Sequence, residues 1–132
     1  MTVLVTDTGF GPDDWAAGFA ASDARTAAEG LDLASDVDPR EVDFDGVPVI
    51  RVDFPSSADG RGFTIARQLR LRGFEGRLRA RGHVLADQYA MARRCGFDEV
   101  EIDTALAERQ PQDQWLFRAD WQAHNYQARL RG

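Results

Sequence analysis

A chain of 132 residues, 43% of them hydrophobic, suits one domain with one core, and no apolar run approaches the roughly 20 residues a membrane-spanning helix needs. The net charge of −6 opposes general nucleic-acid binding, which rests on phosphate neutralisation by a basic surface. All 16 basic residues are arginine, which excludes a Schiff-base or P-loop lysine, and the single cysteine, Cys95, excludes an intramolecular disulfide or an all-cysteine cluster within the chain.

Residues 2–6 alternate as a short strand, and the turn formers of residues 7–12 predict a loop after it. No basic region precedes the apolar residues of the N-terminus, so a cytoplasmic protein without a signal peptide is expected. Asp13 or Asp14 is placed to cap a short helix carrying Trp15 and Phe19, with Ser22 and Asp23 as a second start and Gly30 as its stop. Residues 31–35 alternate as a strand, and Asp38-Pro39 opens a helical turn with proline in the first position.

Residues 47–54 form the clearest strand, apolar on both sides until its end, with Pro48 near the start where a missing donor is tolerated. A helix over residues 61–72 follows, with Phe63, Ile65, Ala66 and Leu69 on one arc and Gly73 as its stop. Residues 77–82 alternate strictly as a strand. A second helix runs from His83 or Val84 to Cys95-Gly96, and a further strand over 98–103 turns Val100 and Ile102 inward. Residues 104–109 predict a short helix. In the tail, Trp115, Ala119, Ala123, Tyr126 and Leu130 form one helical stripe over residues 111–132, with Phe117, Trp121 and His124 on the other side.

This alternation implies a single small α/β domain. Its mainly parallel sheet has four to five strands joined by consecutive right-handed crossovers, either barrel-fragment-like or open, and a C-terminal amphipathic helix completes it. Residues 47–104 are its best-defined core.

Ligands in such sheets bind beyond the carboxyl ends of the strands. Three ends deliver Asp53-Phe54, Arg81-Gly82-His83 and Asp103. The first leads into Asp59-Gly60-Arg61-Gly62 at a helix start, where backbone amides can face an anion. Neither the P-loop pattern nor a dinucleotide fingerprint is present, and a tight turn with an exposed arginine is the plainer account of this loop. Gln88 interrupts the apolar arc of the second helix, so its amide must bond either loop backbone or a ligand. The candidate anion site is thus Asp53, Asp59, Gly60, Arg61, Gly62, Arg81, Gly82, His83 and Gln88. Competing with it, Arg77, Arg79 and Arg81 on one strand face Glu99, Glu101 and Asp103 on the next, and a ladder of cross-strand pairs is the stronger expectation. Asp87 is placed to pair with Arg67 or Arg70. Cys95 reads as packing. His83 reads as an exposed loop histidine, and neither a metal site nor a cofactor motif emerges. Trp115, Phe117, Trp121 and Tyr126 are candidate interface residues for a homodimer or a partner.

The combination Asp59-Gly-Arg-Gly, Leu78-Arg-Ala-Arg-Gly82, Asp87-Gln88 and Arg94-Cys-Gly-Phe-Asp98 resembles a bacterial family whose members are described as oxidoreductases involved in sulfite reduction. The match runs over about residues 47–104. It implies a gene placed beside the enzymes of assimilatory sulfate and sulfite reduction. Sulfite reduction needs several electrons, which cofactors rather than side chains supply. With no dinucleotide fingerprint, cysteine cluster or haem-ligand pair in the sequence, the resemblance implies a non-catalytic accessory role through a sulfur-assimilation enzyme or a homodimer. The alternative is a small enzyme or binding protein for an anionic metabolite.

Overall fold

The structure, a computed structural model, describes residues 2–121. It is an α/β fold on one seven-stranded mixed sheet, ordered β2-β1-β7-β6-β5-β4-β3. The strands are β1 (Thr2–Thr6), β2 (Gly9–Gly11), β3 (Phe19–Ala20), β4 (Gly30–Leu33), β5 (Val49–Phe54), β6 (Arg77–Gly82) and β7 (Glu99–Asp103). From β3 to β7 each strand runs parallel to its neighbour. β1 pairs antiparallel with both β7 and β2. The expected sheet of four to five strands is therefore too small, because two short strands, β2 and β3, join the predicted ones. The predicted loop over residues 7–12 contains β2, which folds back on β1 to cover an otherwise open edge.

Helices α1 (Arg61–Leu71) and α2 (Tyr89–Cys95) lie on one face. The face beneath them carries Ile50, Val52 and Phe54 of β5, Leu78 and Ala80 of β6, and Val100 and Ile102 of β7. Phe63, Ile65, Ala66 and Leu69 of α1 fill this core as their spacing predicts. The second helix is shorter than expected. A 3-10 turn, Ala86–Gln88, precedes it, because Gln88 turns back to bond the Leu85 amide. Helices α3 (Thr104–Arg109) and α4 (Gln112–Leu116) close the same core, with Trp115 packed edge-on to Tyr89 and Phe10. Of the tail helix predicted over 111–132, the described residues form the five-residue α4 and turns through Trp121; Ala123, His124, Tyr126 and Leu130 lie outside the described residues.

The opposite face is ionic. Arg51, Arg77, Arg79 and Arg81 interlock with Asp32, Asp53, Glu99 and Glu101, four cations against four anions from the sheet itself. Arg79 is completely buried, bonding Glu99 at 2.6 Å and Glu101 at 2.8 Å. Asp103 takes no part and caps the helix that follows, but for Glu99 and Glu101 the ladder expected from the alternating charges is present, and it is covered. Residues 12–18 cross it as a strap. Asp13 grips Arg79 through both oxygens at 3.0 and 3.1 Å, and Asp14 pairs with Arg77. The helix predicted to start at Asp13 or Asp14 does not form; Asp13 accepts from the Trp15 amide at 2.9 Å, but both carboxylates also pair with arginines of β6, which holds this segment extended across the sheet. Nor does a helix start at Ser22. Gly30, expected as a stop, instead opens β4; a Cβ there would sit 2.5 Å from the Phe19 ring, which occupies the space.

Among the described residues, no helix is long and apolar enough to cross a membrane.

Candidate functional site

The carboxyl ends of β5, β6 and β7 open into a cleft of about 240 Å³, bounded on the far side by Thr2 of β1 and by α3. Its walls follow from local sequence. Gly82 ends β6 at φ +116°, and a Cβ there would lie 2.5 Å from the Phe54 carbonyl oxygen. That turn lets the His83 amide donate to the same oxygen at 2.9 Å, aiming the chain outward. Gly62 has a related task, since a Cβ there would strike the Phe54 ring at 2.4 Å. At the end of β7, Asp103 accepts from the Leu106 amide at 2.7 Å and so starts α3 at once. A helix this short returns Arg109 to the cleft.

The charges of the cleft are unevenly engaged. Glu101 is buried and shared among Arg51, Arg79 and Arg81. Arg81 is half-exposed and held only loosely, with nitrogens 3.5 Å from Asp53 and 3.4 Å from Glu101. Among the described residues, the side chains of His83 and Arg109 make no hydrogen bond or ion pair, and both are exposed.

The structure gathers Asp53, Arg81, Gly82 and His83 here and places the remainder of the expected anion site elsewhere. Arg61 turns back onto Asp59, bonding it at 3.0 and 2.7 Å, and its other contact is the Ser35 hydroxyl at 3.0 Å. The Arg61 side chain and amide together hold the Asp59 carboxyl down to about 2. Gly60 precedes α1 in this same clasp. Gln88 accepts from the Leu85 amide at 2.9 Å and donates to the Ser57 carbonyl at 2.9 Å, which ties the loop after β5 to the loop after β6. The backbone account of Gln88 is therefore the observed one. Thr2 and Arg109 were missed. Only the antiparallel joining of β1 to β7 brings Thr2 here, and Arg109 follows from the brevity of the helix that Asp103 caps.

Three other assignments change. Asp87 pairs with Arg118 at 3.2 Å, not with Arg67 or Arg70, because Arg70 is taken up by the carbonyls of Phe74, Gly76 and Gly96 and by Asp98. Trp115 is 1% exposed and donates to the Gln110 carbonyl, so it is a core residue rather than an interface residue. Trp121 is half-buried and reaches Asp7 at 3.4 Å, with Arg93 over its ring. Asp7 also accepts from Tyr89 at 2.5 Å and from Arg93 at 3.1 Å through each oxygen. Burial pushes the Asp7 carboxyl up, but these bonds outweigh it and leave it below the ordinary carboxylate range. Phe117 is 74% exposed, and Tyr126 lies outside the described residues. Burial raises the Cys95 thiol above its ordinary value, in keeping with packing rather than reactivity.

The profile of a family described as bacterial proteins of unknown function, DUF934, matches residues 30–132. The chain belongs to the DUF934 family. The match begins at β4, so β1, β2, the strap and β3 precede it. No curated protein and no solved structure matches the chain.

Proposed function

We propose that this DUF934 protein is an accessory component of assimilatory sulfate and sulfite reduction that acts by binding a partner enzyme or a second copy of itself rather than by catalysing the reduction. The pathway rests on the motif resemblance over residues 47–104. The mode of action rests on one observation: Asp59, Arg61, Arg79, Gln88 and Asp98 of those motifs are committed within the fold, with Arg81 loosely held and Arg94 exposed. Asp59 and Arg61 clasp each other, Gln88 joins two loops, and Asp98 holds the Leu78 amide and Arg70. Groups tied in this way confer a fixed shape. The surface offered to a partner includes Phe117 and Leu116, 74% and 39% exposed, beside the Asp87–Arg118 pair. Apolar side chains with a polar surround are common at interfaces.

Growth of a deletion strain on sulfate, sulfite or cysteine as sole sulfur source tests the pathway. The reading expects a defect on sulfate or sulfite that cysteine relieves; equal growth on all three removes it. Affinity capture from sulfate-grown cells then tests the mode, with Phe117→Ser expected to weaken recovery of a pathway enzyme.

A second reading, a small enzyme or binding protein for an anionic metabolite, is favoured by the loosely held Arg81 and the unpaired His83 and Arg109 lining one cleft.

A further inference from the structure

We infer that the cleft at the carboxyl ends of β5, β6 and β7 binds a small zwitterion, a short α-amino acid, rather than a bare anion. The inference rests on the second reading, that this cleft takes a small metabolite, and says what kind.

Charge is the first reason. The lining carries Arg81, Arg109 and His83, but also Asp53, Asp103 and the buried Glu101. Glu101 is held by Arg51, Arg79 and Arg81, so the groups that face the opening are Arg81, Arg109 and His83 beside Asp53 and Asp103, and a bare anion would meet carboxylates as well as donors. A ligand with a carboxylate and an ammonium group a few ångströms apart can use both kinds of group. The free groups are also of both kinds. His83 and Arg109 have unengaged side chains, and Asp53 has only its 3.5 Å contact with Arg81. Asp103 uses one oxygen on the Leu106 amide and leaves the other. The ligand carboxylate would take donors from Arg109, Arg81 and His83, and the ammonium would donate to Asp53 and Asp103. Charge-assisted hydrogen bonds of this kind are about twice as strong as neutral ones.

Size is the second reason. At about 240 Å³ the cleft is small, below the range of about 300–1,000 Å³ typical of sites for drug-sized ligands. Phe54, Ile102 and Leu106, all buried, supply the apolar part of the lining against which a short side chain can rest.

The place in the fold is the third. Open α/β sheets bind ligands outside the carboxyl ends of their strands. Here the sheet also changes direction at the cleft, since β1 runs antiparallel beside β7 and brings Thr2 level with Asp103.

The test is calorimetric and NMR titration of the full chain with L-alanine and L-serine, and with acetate, sulfate and ethylamine as probes that carry charge of one sign only. The expected result is saturable binding of the amino acids, with amide shifts centred on residues 81–83 and 103–109, and much weaker binding of all three one-sign probes. Arg109→Gln and Asp53→Asn, both at exposed or half-exposed positions, should each weaken amino-acid binding about tenfold, the loss expected for one charge-assisted hydrogen bond. Unchanged thermal midpoints in both variants confirm that folding is intact. Binding of sulfate or acetate as tight as that of the amino acids, lost in Arg109→Gln but kept in Asp53→Asn, overturns the zwitterion while leaving an anion site. Binding of no probe overturns both the zwitterion and the metabolite reading.

Discussion

The guanidinium carbon of Arg51 lies 4.0 Å from the centre of the Phe19 ring. The same ring stands 5.3 Å from the guanidinium of Arg79, so one aromatic face roofs two cations of the buried ladder. It can do so because Gly30 has no side chain: a Cβ at that position would come within 2.5 Å of the ring. Phe19→Ala should cost about 2 kcal/mol, combining lost cation–π contact with lost burial. Gly30→Val should cost about 1–3 kcal/mol by overpacking. In the double variant the collision with the ring is gone and only the 2.8 Å approach to Val49 Cγ1 remains, so urea denaturation should give a loss below the sum of the two.

Arg79 is wholly buried among Glu99, Glu101 and Asp13. Arg79→Met keeps the volume and removes the charge. Glu99 and Glu101 retain Arg77 and Arg51 as partners, so the expected loss is about 3 kcal/mol, at the lower end for breaking a buried pair. Adding Glu101→Gln should restore part of it. A double-mutant cycle in urea measures that coupling, and strict additivity would contradict the network.

Acid should loosen the N-terminal segment. For Asp7 and Asp13 burial raises the carboxyl, but bonds from Tyr89 and Arg93 in one case and from Arg79 in the other bring it below the ordinary 3.8. For Asp59 the Arg61 clasp lowers it to about 2. A carboxylate depressed on folding contributes its stability above the unfolded value and loses it as pH falls through the folded one. Stability should therefore be level from neutral pH to about 5 and fall from about 4 downward. Asp13→Asn should have a shallower acid slope than the parent, as read by unfolding at stepped pH.

Gly82 sits at φ +116° against the Phe54 carbonyl. Gly82→Ala adds strain at that φ and a backbone collision, for an expected cost of at least about 2–3 kcal/mol. Because His83 leaves the strand at this point, its amide resonance should shift more than those of α1. Thermal melts and amide spectra check both statements.

Gln88→Ala removes an acceptor from the Leu85 amide and a donor from the Ser57 carbonyl. The expected cost is about 1–2 kcal/mol, since the two bonds are only partly shielded from water. Faster hydrogen exchange at Leu85, with amino-acid binding unchanged, is the signature of a loop tie. Loss of binding at unchanged stability would instead make Gln88 a ligand group.

The central strands and α1 were legible because their signals are local. The arc of Phe63, Ile65, Ala66 and Leu69 and the alternation of Arg77, Arg79 and Arg81 each appear within a few residues. The strand over residues 2–6 was legible, but residues 7–30 were misread because their signals are not local. Asp13 and Asp14 are good helix caps in isolation, yet their partners lie more than 60 positions away on β6. Gly30 looks like a helix stop and serves as room for a ring. At the cleft, strand ends could be read from the sequence, which placed Asp53, Arg81, Gly82 and His83 together. Where Arg61 and Gln88 turn could not be read, because each folds back on its own loop and also reaches a residue distant in sequence, Ser35 for Arg61 and Ser57 for Gln88.

The belt formed by β1, β2, the strap and β3 reaches both edges of the sheet, pairing with β7 on one side and β4 on the other. During synthesis this belt emerges before β4 to β7, yet the strand that receives β1 ends at Asp103 and the amide of Phe10 waits for Gln112. Closing so long a loop is slow compared with forming the local contacts of β4 to β7. Topology therefore orders assembly backwards along the chain: the parallel strands can gather while both sheet edges and the arginine face are still bare, and the belt made before them locks after them.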